Sequence, residues 1–167
     1  MQRNPPDTAR LSFRVWEPTD LNCLHVICSD PQVMAFVGEG HVWTRERTWQ
    51  FIQSAIDTWH EFGYCQWAVI HKADHALIGF CGFVHRTAEP EIGWRFAPTY
   101  WGQGLATEAA RAVLKHGLVT RGFPRVTATV QSANAASIRV IEKLDMKLLR
   151  SFQRAGREIR VYGIESE

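Results

Sequence analysis

The period of the apolar positions changes several times along this chain, and each change marks an element. Leu11-Ser12-Phe13-Arg14-Val15-Trp16 alternates apolar and polar residues, as a strand with one buried face does. Behind Pro18, a residue tolerated in a first helical turn, Leu21, Leu24, Ile27 and Cys28 recur at helical spacing and predict a helix of roughly ten residues. Ser29-Asp30-Pro31 repeats that start signal and predicts a shorter helix through Val37, ended by Gly38-Glu39-Gly40. From Thr44, a good N-cap, the residues Trp49, Ile52, Ala55, Ile56 and Trp59 fall three and four apart. They make one apolar stripe of a long helix, with Gly63 placed as its C-cap.

The pattern then becomes extended. Gln66–His71 and Ala76–Val84, joined by Lys72-Ala73-Asp74-His75, predict an antiparallel hairpin, and glycines inside the second run suggest a bulge or close backbone contact. A turn over Thr87 to Pro90 leads to another strand, Glu91–Phe96. The segment Leu105 to Val119 is apolar nearly all round, which predicts a helix buried beneath the sheet and stopped by Arg121-Gly122-Phe123-Pro124. Val126–Val130 alternates as a strand, and a helix crossing between two strands makes them parallel. Asn134 to Leu144 reads as a helix; Met146–Gln153, a turn at Ala155-Gly156, and Glu158–Ile164 read as a closing hairpin. The expected fold is α+β, with a mixed, mostly antiparallel twisted sheet of about seven strands and helices on both faces. The expected organisation is a polar leader over residues 1–10 and a single domain over 11–167.

Composition narrows the class. A chain of 167 residues, 46% hydrophobic and 22% charged, suits one well-buried core rather than a disordered or membrane protein. The net charge of +2 is carried by scattered residues, which argues against a nucleic-acid partner. Cys23, Cys28, Cys65 and Cys81 have neither zinc-site spacing nor disulfide density and read as reduced core thiols. The leader lacks the apolar core of a signal peptide and no apolar run is long enough for a bilayer, so a cytoplasmic protein without membrane contact is expected.

Chemistry concentrates first at Thr99-Tyr100-Trp101-Gly102-Gln103-Gly104-Leu105-Ala106-Thr107-Glu108, a strand, glycine loop and helix start in succession. The first N–H groups of a helix lack internal partners and carry partial positive charge, and glycine lets a ligand approach the backbone, so this junction can hold an anion. It is neither a phosphate loop, since no Gly-Lys-Ser/Thr follows, nor a dinucleotide fingerprint, since the third glycine is missing.

Glu91-Ile92-Gly93-Trp94, Tyr100 through Ala109, and Asn134-Ala135-Ala136-Ser137 through Leu144 together resemble the GNAT family of acyl-CoA-dependent N-acetyltransferases, and within it the RimJ/RimL type that acetylates ribosomal-protein N-termini. The resemblance spans roughly Leu11 to Ile164 in element order. The family loop, Gln/Arg-x-x-Gly-x-Gly/Ala, becomes Trp101-x-x-Gly104-x-Ala106, with Trp101 the departure. It implies acetyl-CoA as co-substrate and no metal. Gly102, Gln103, Gly104, Leu105 and Ala106, with the Thr107 hydroxyl and Trp101 heading the motif, would cradle the pyrophosphate. Glu108 would face away, because a carboxylate repels a diphosphate.

The resemblance further implies that strands Glu91–Phe96 and Val126–Val130 form a central parallel pair splayed open for the pantetheine arm. An N–H near Phe96 or Ala97 would polarise the thioester carbonyl, Asn134 would bond the pantetheine amide, and Ser137 would protonate the leaving thiolate. Relatives often carry a tyrosine where Ile141 stands, so tyrosine acid catalysis there is excluded. Leu144-Asp145-Met146 replaces the usual Leu-Gly-Phe, which puts that turn in doubt.

Amines are protonated near neutral pH, so a base must free the lone pair before attack. Glu91 is the leading candidate; His41 and His85 are weaker ones. The seven histidines show no ligand spacing, and no Gly-x-Ser-x-Gly elbow surrounds Ser137. The acceptor pocket is expected between Val37–Thr44, with His41 and Trp43, and Glu91 and Trp94 on the sheet. Small amines, antibiotics and protein N-termini all stay open as acceptors, as does a homodimer. A non-catalytic acyl-CoA-binding regulatory module is the alternative to an enzyme.

Overall fold

The computed structural model describes residues 4–85 and 89–166. The chain runs β1 (Leu11–Arg14), α1 (Leu21–Cys28), α2 (Pro31–Met34), α3 (Arg45–Phe62), β2 (Gln66–His71), β3 (Ala76–Val84) and β4 (Glu91–Phe96). It continues through α4 (Leu105–Lys115), β5 (Arg125–Gln131), α5 (Ala135–Lys143), β6 (Lys147–Arg154) and β7 (Arg157–Glu165). Thr87 and Ala88 of the expected turn lie outside the described residues.

Local signals set most of these bounds. The Thr44 hydroxyl accepts the Arg47 N–H at 3.1 Å and starts α3; Gly63, at φ 71°, donates to the Trp59 carbonyl and ends it. The short α2 stops at Met34 rather than Val37, because the chain already tightens there, with the Val37 N–H on the Met34 carbonyl ahead of Gly38 and Gly40 at positive φ. Asp145 takes φ 59°, so the turn after α5 keeps the left-handed geometry that glycine supplies more cheaply.

The strands form one sheet in the order β1-β2-β3-β4-β5-β7-β6, antiparallel throughout except for the β4–β5 pair. A bulge at Ile78 interrupts β3 opposite Val69 and Ile70 of β2, and a side chain at the adjoining Gly79 would collide with the Arg95 carbonyl, which is why β3 carries glycine there. Helices cover both faces. On one, Phe80 of β3 packs against Phe51 of α3, ring centroids 4.7 Å apart, with Trp16 alongside. On the other, Phe83 meets Phe123 beyond α4 at 5.2 Å, edge to face.

Two further expectations change. The segment after the glycine loop is not buried all round: Leu105, Ala109, Ala110, Val113 and Leu114 are buried, but Val119 is 73% exposed. The sheet covers only one side of the helix, and alanine tolerates either environment. Of the four cysteines, Cys28, Cys65 and Cys81 are buried free thiols, whereas Cys23 is exposed. Burial pushes the Cys65 and Cys81 thiols up, so both are unreactive packing residues.

β4 and β5 meet at a single register pair, Glu91 with Thr127, where the Thr127 N–H donates to the Pro90 carbonyl at 3.0 Å. On its other edge β4 pairs fully with β3, and the Ala97 N–H donates to the Ile78 carbonyl at 2.8 Å. Ladder alternation then turns the backbone groups of Trp94 and Phe96 toward β5, into the opening beyond the bridge. The parallel pair is therefore splayed toward its carboxyl ends, the edge where ligands of such sheets bind.

Candidate active site

The glycine loop sits at the carboxyl end of β4 and is braced from three sides. Trp101 Nε1 donates to the Phe96 carbonyl at 2.8 Å, Tyr100 Oη donates to Asp74 Oδ2 at 2.6 Å, and Arg10 Nη1 donates to the Gln103 carbonyl at 2.9 Å. Gly102 and Gly104 take φ 72° and 77°, the left-handed region that other residues enter at a cost. Gly104 is the N-cap of α4, and no side chain caps the helix. The first turn of α4, from Leu105 through Ala106 and Thr107, follows an exposed run from Trp101 to Gly104. An exposed helix start with uncapped N–H groups favours an anion.

Glu108, in the first turn, is turned outward to the segment before β1. It accepts from the Thr8 hydroxyl at 2.6 Å and pairs with Arg10 at 2.6 Å. Partial burial pushes its carboxyl up, but the hydrogen bonds from Thr8 and Arg10 outweigh that and leave it below the usual range. Beside it a groove of about 530 Å³ is lined by Arg10, Arg111, Lys115 and Lys143 together with Asp7 and Glu108, so its wall carries both signs with basic residues in excess.

At the other end of the splay, Asn134 is the N-cap of α5, its Oδ1 accepting the Ser137 N–H at 3.2 Å. Both residues line a cavity of about 480 Å³ that also takes in Glu91, Trp94 and Trp43. Glu91 Oε2 accepts from the Thr129 hydroxyl at 2.9 Å across the strand pair, which orients the carboxylate at the rim of the opening. Alternation puts Glu91, Gly93 and Arg95 on one face of β4 and Ile92, Trp94 and Phe96 on the other. The cavity is lined from both faces, so Trp94 and Glu91 contribute to it from opposite sides of the sheet.

Three expected site residues are placed differently from the sequence reading. The His41 side chain is 85% exposed beside Glu39 and is not among those lining the cavity, because it turns to solvent while Trp43 of the same loop packs inward on Phe51. His85 is taken up by the Tyr64 hydroxyl at 2.8 Å and stacks on Phe62, away from the cavity lining. The Ala97 N–H is spent on Ile78, which leaves the Phe96 N–H as the one of the two that faces the opening. The sequence reading also passed over Gln66, Arg47, Arg95, Arg154 and Arg157, all in the cavity wall. Of these only Arg95 had a signal, its two-residue period with Glu91. The others come together from separate elements.

The chain matches the acetyltransferase (GNAT) domain model over residues 10–147 and belongs to the GNAT acetyltransferase family. It is 35% identical over 143 residues to the uncharacterized N-acetyltransferase YnaD of Bacillus subtilis, covering 84% of this chain and 81% of that one. A GNAT-family acetyltransferase from Bacillus anthracis superposes with a TM-score of 0.84 at 30% identity, over 96% of this chain and 97% of that one. RimL, the ribosomal L7/L12 α-N-protein acetyltransferase in complex with coenzyme A, gives the same TM-score of 0.84 at 17% identity, over 96% and 97% of the two chains, which shows a shared fold. The protein is thus an acyltransferase of a family that uses acetyl-CoA. Among the described residues no group of three His, Cys, Asp or Glu side chains is arranged to hold a metal ion, and no helix is long and apolar enough to cross a membrane.

Proposed function

We propose that the protein transfers an acetyl group from acetyl-CoA to a primary amine, of a small molecule or a protein N-terminus, by direct attack while both substrates are bound. The observation that carries the reading is the β4–β5 opening, bridged only at Glu91 and Thr127 and running from an uncapped helix start to Asn134 and Ser137. The pyrophosphate would lie on the N–H groups from Gly102 to Ala106 with the Thr107 hydroxyl, and the pantetheine arm would take the ladder positions of Trp94 that face the opening.

Glu91, oriented by Thr129, takes a proton from the amine directly or through water. The amine nitrogen attacks the thioester carbonyl carbon, the Phe96 N–H stabilises the oxyanion, the C–S bond breaks, the nitrogen gives up its second proton to solvent, and Ser137 or solvent returns a proton to the thiolate. Removing an oxyanion donor of this kind typically costs ~3 kcal/mol of transition-state stabilisation. A cytoplasmic location suits such a co-substrate, and residues 11–167 serve as one catalytic domain with 1–10 ahead of it.

Thiol release from acetyl-CoA, measured over a panel of peptides and small amines, tests the reading. Release dependent on an amine supports it. Coenzyme binding without release from any amine favours the regulatory module, and no coenzyme binding sinks both.

A further inference from the structure

The polar segment ahead of β1 is tied to the body of the protein along its length. Asn4 Oδ1 accepts from Trp67 Nε1 at 3.1 Å, and Pro5 is buried. Lys72 Nζ reaches the Asp7 carboxylate at 3.3 Å and donates to the Thr8 carbonyl at 2.7 Å. These anchors fix where Thr8 and Arg10 stand, and both side chains are turned to the start of α4.

There Glu108 is gripped on both oxygens. Its Oε1 accepts from the Thr8 hydroxyl at 2.6 Å and from the Arg10 N–H at 3.0 Å, and its Oε2 accepts from Arg10 Nε at 2.7 Å and lies 2.6 Å from Nη2. The other arm of the same guanidinium, Nη1, donates to the Gln103 carbonyl at 2.9 Å. One side chain thus joins the glycine loop to a carboxylate in the first turn of the helix that follows.

Both contacts bear on an anion at the helix start. A bare carboxylate in the first turn draws on the helix dipole and repels a second anion there, whereas a carboxylate paired with a guanidinium leaves the dipole to the ligand. The peptide joining Gln103 to Gly104 is planar and trans, so a carbonyl held toward Arg10 points the Gly104 N–H to the opposite side. With Gly102 and Gly104 on either side, that peptide would otherwise turn freely, and ordering it on binding would cost entropy.

Resting on the acetyltransferase reading above, we infer that Arg10 is a positioning residue of the donor site: it cancels the Glu108 charge and aims the Gly104 N–H, so that the loop meets the coenzyme diphosphate already formed. The segment ahead of β1 then serves the donor site, although Arg10 acts through Gln103 and Glu108 rather than by touching the reacting atoms.

The test is a double-mutant cycle on the full chain, Arg10→Ala, Glu108→Gln and both together, with coenzyme A affinity read by calorimetry and acetyl-CoA turnover alongside. Arg10→Ala is expected to weaken coenzyme A about five- to tenfold, raising the KM for acetyl-CoA while kcat at saturation holds. Adding Glu108→Gln recovers a large part of that loss, since no carboxylate is left to repel the ligand. The loss shrinks in about 0.5 M salt, where exposed charges are screened. Arg10→Lys, a milder change that keeps the charge but lacks the planar fork, lies between parent and Arg10→Ala. A merely structural role would lower the melting temperature of Arg10→Ala without moving coenzyme affinity in the folded protein, and would overturn the inference. So would a double variant as weak as Arg10→Ala, or Arg10→Lys equal to the parent should Arg10→Ala not fold. Each of these leaves acetyl transfer standing. A parent protein that binds no coenzyme A would overturn the inference and the acetyltransferase reading together.

Discussion

The two ends of the β4–β5 opening, proposed above as its donor and acceptor ends, are built from different materials. The donor end is backbone: a loop at positive φ and a bare helix start, contiguous from Trp101 to Thr107. The acceptor end is side chain: Trp43 and Arg47 from the start of α3, Gln66 from β2, Phe80 from β3, and Glu91 and Arg95 from β4. A backbone site tolerates almost any side chain but fails if the local φ changes. A side-chain site keeps its fold through most substitutions and changes what it accepts. The two ends therefore differ in how they break, and mutations can separate donor binding from acceptor chemistry.

The largest effect is expected at the junction between them. Glu91→Gln keeps the shape and the contact with Thr129 but removes the base, and kcat falls about 10²- to 10⁴-fold while coenzyme A affinity measured by calorimetry stays level. A parallel loss of coenzyme affinity would mean that Glu91 belongs to the donor end. Gly104→Val acts on the donor end alone: at φ 77° a β-branched residue is strained, and the cradle must distort. Coenzyme A binding should weaken about tenfold or more, and unchanged affinity would count against the pyrophosphate assignment.

A subtler probe is the brace beneath the loop. Hydrogen bonds from Tyr100 and then His71 hold the exposed Asp74 carboxyl down to about 2. Because the folded value is depressed, any stability from this brace is present above the ordinary carboxylate range and is lost as pH falls toward 2. Tyr100→Phe should return the Asp74 pKa toward its usual value in an NMR titration and flatten the stability profile between about pH 4 and 2. A titration indistinguishable from the parent protein would show that the brace is absent in solution. The smallest change lies outside both ends: Asp145→Gly relieves a non-glycine residue at φ 59° and should raise stability by about 0.5–1 kcal/mol in urea denaturation, with turnover unaltered.

The glycine loop and helix start proposed as the donor end were legible in the sequence because their determinants are neighbours. Strand, Gly102-x-Gly104 and helix are consecutive, and the Asn134 and Ser137 pair is an N-cap with its own helix. Glu108 followed from charge alone, although its partners Thr8 and Arg10, about a hundred residues away, did not. The acceptor end was only half legible. Trp43 was expected in the wall and is there, while His41, in the same stretch, points to solvent. Nothing in a one-dimensional pattern tells two residues on one loop apart when only packing against another element decides which turns inward. The buried run of α4 was over-read for a related reason, since apolarity states what a helix tolerates and the single sheet it meets sets how much of it is covered.

Sequence by itself determined the order of elements, the antiparallel hairpins, the parallel crossover and the glycine loop before an uncapped helix start, because period, caps and turn residues act within a few positions of one another. Tertiary structure alone decided at which pair the one bridge between β4 and β5 falls, that the Phe96 rather than the Ala97 N–H faces the opening, and that two arginines from distant elements meet on the Trp43 ring. Strand register and helix docking are set by the whole core at once, and a side chain's neighbours across the sheet carry no mark in its own segment.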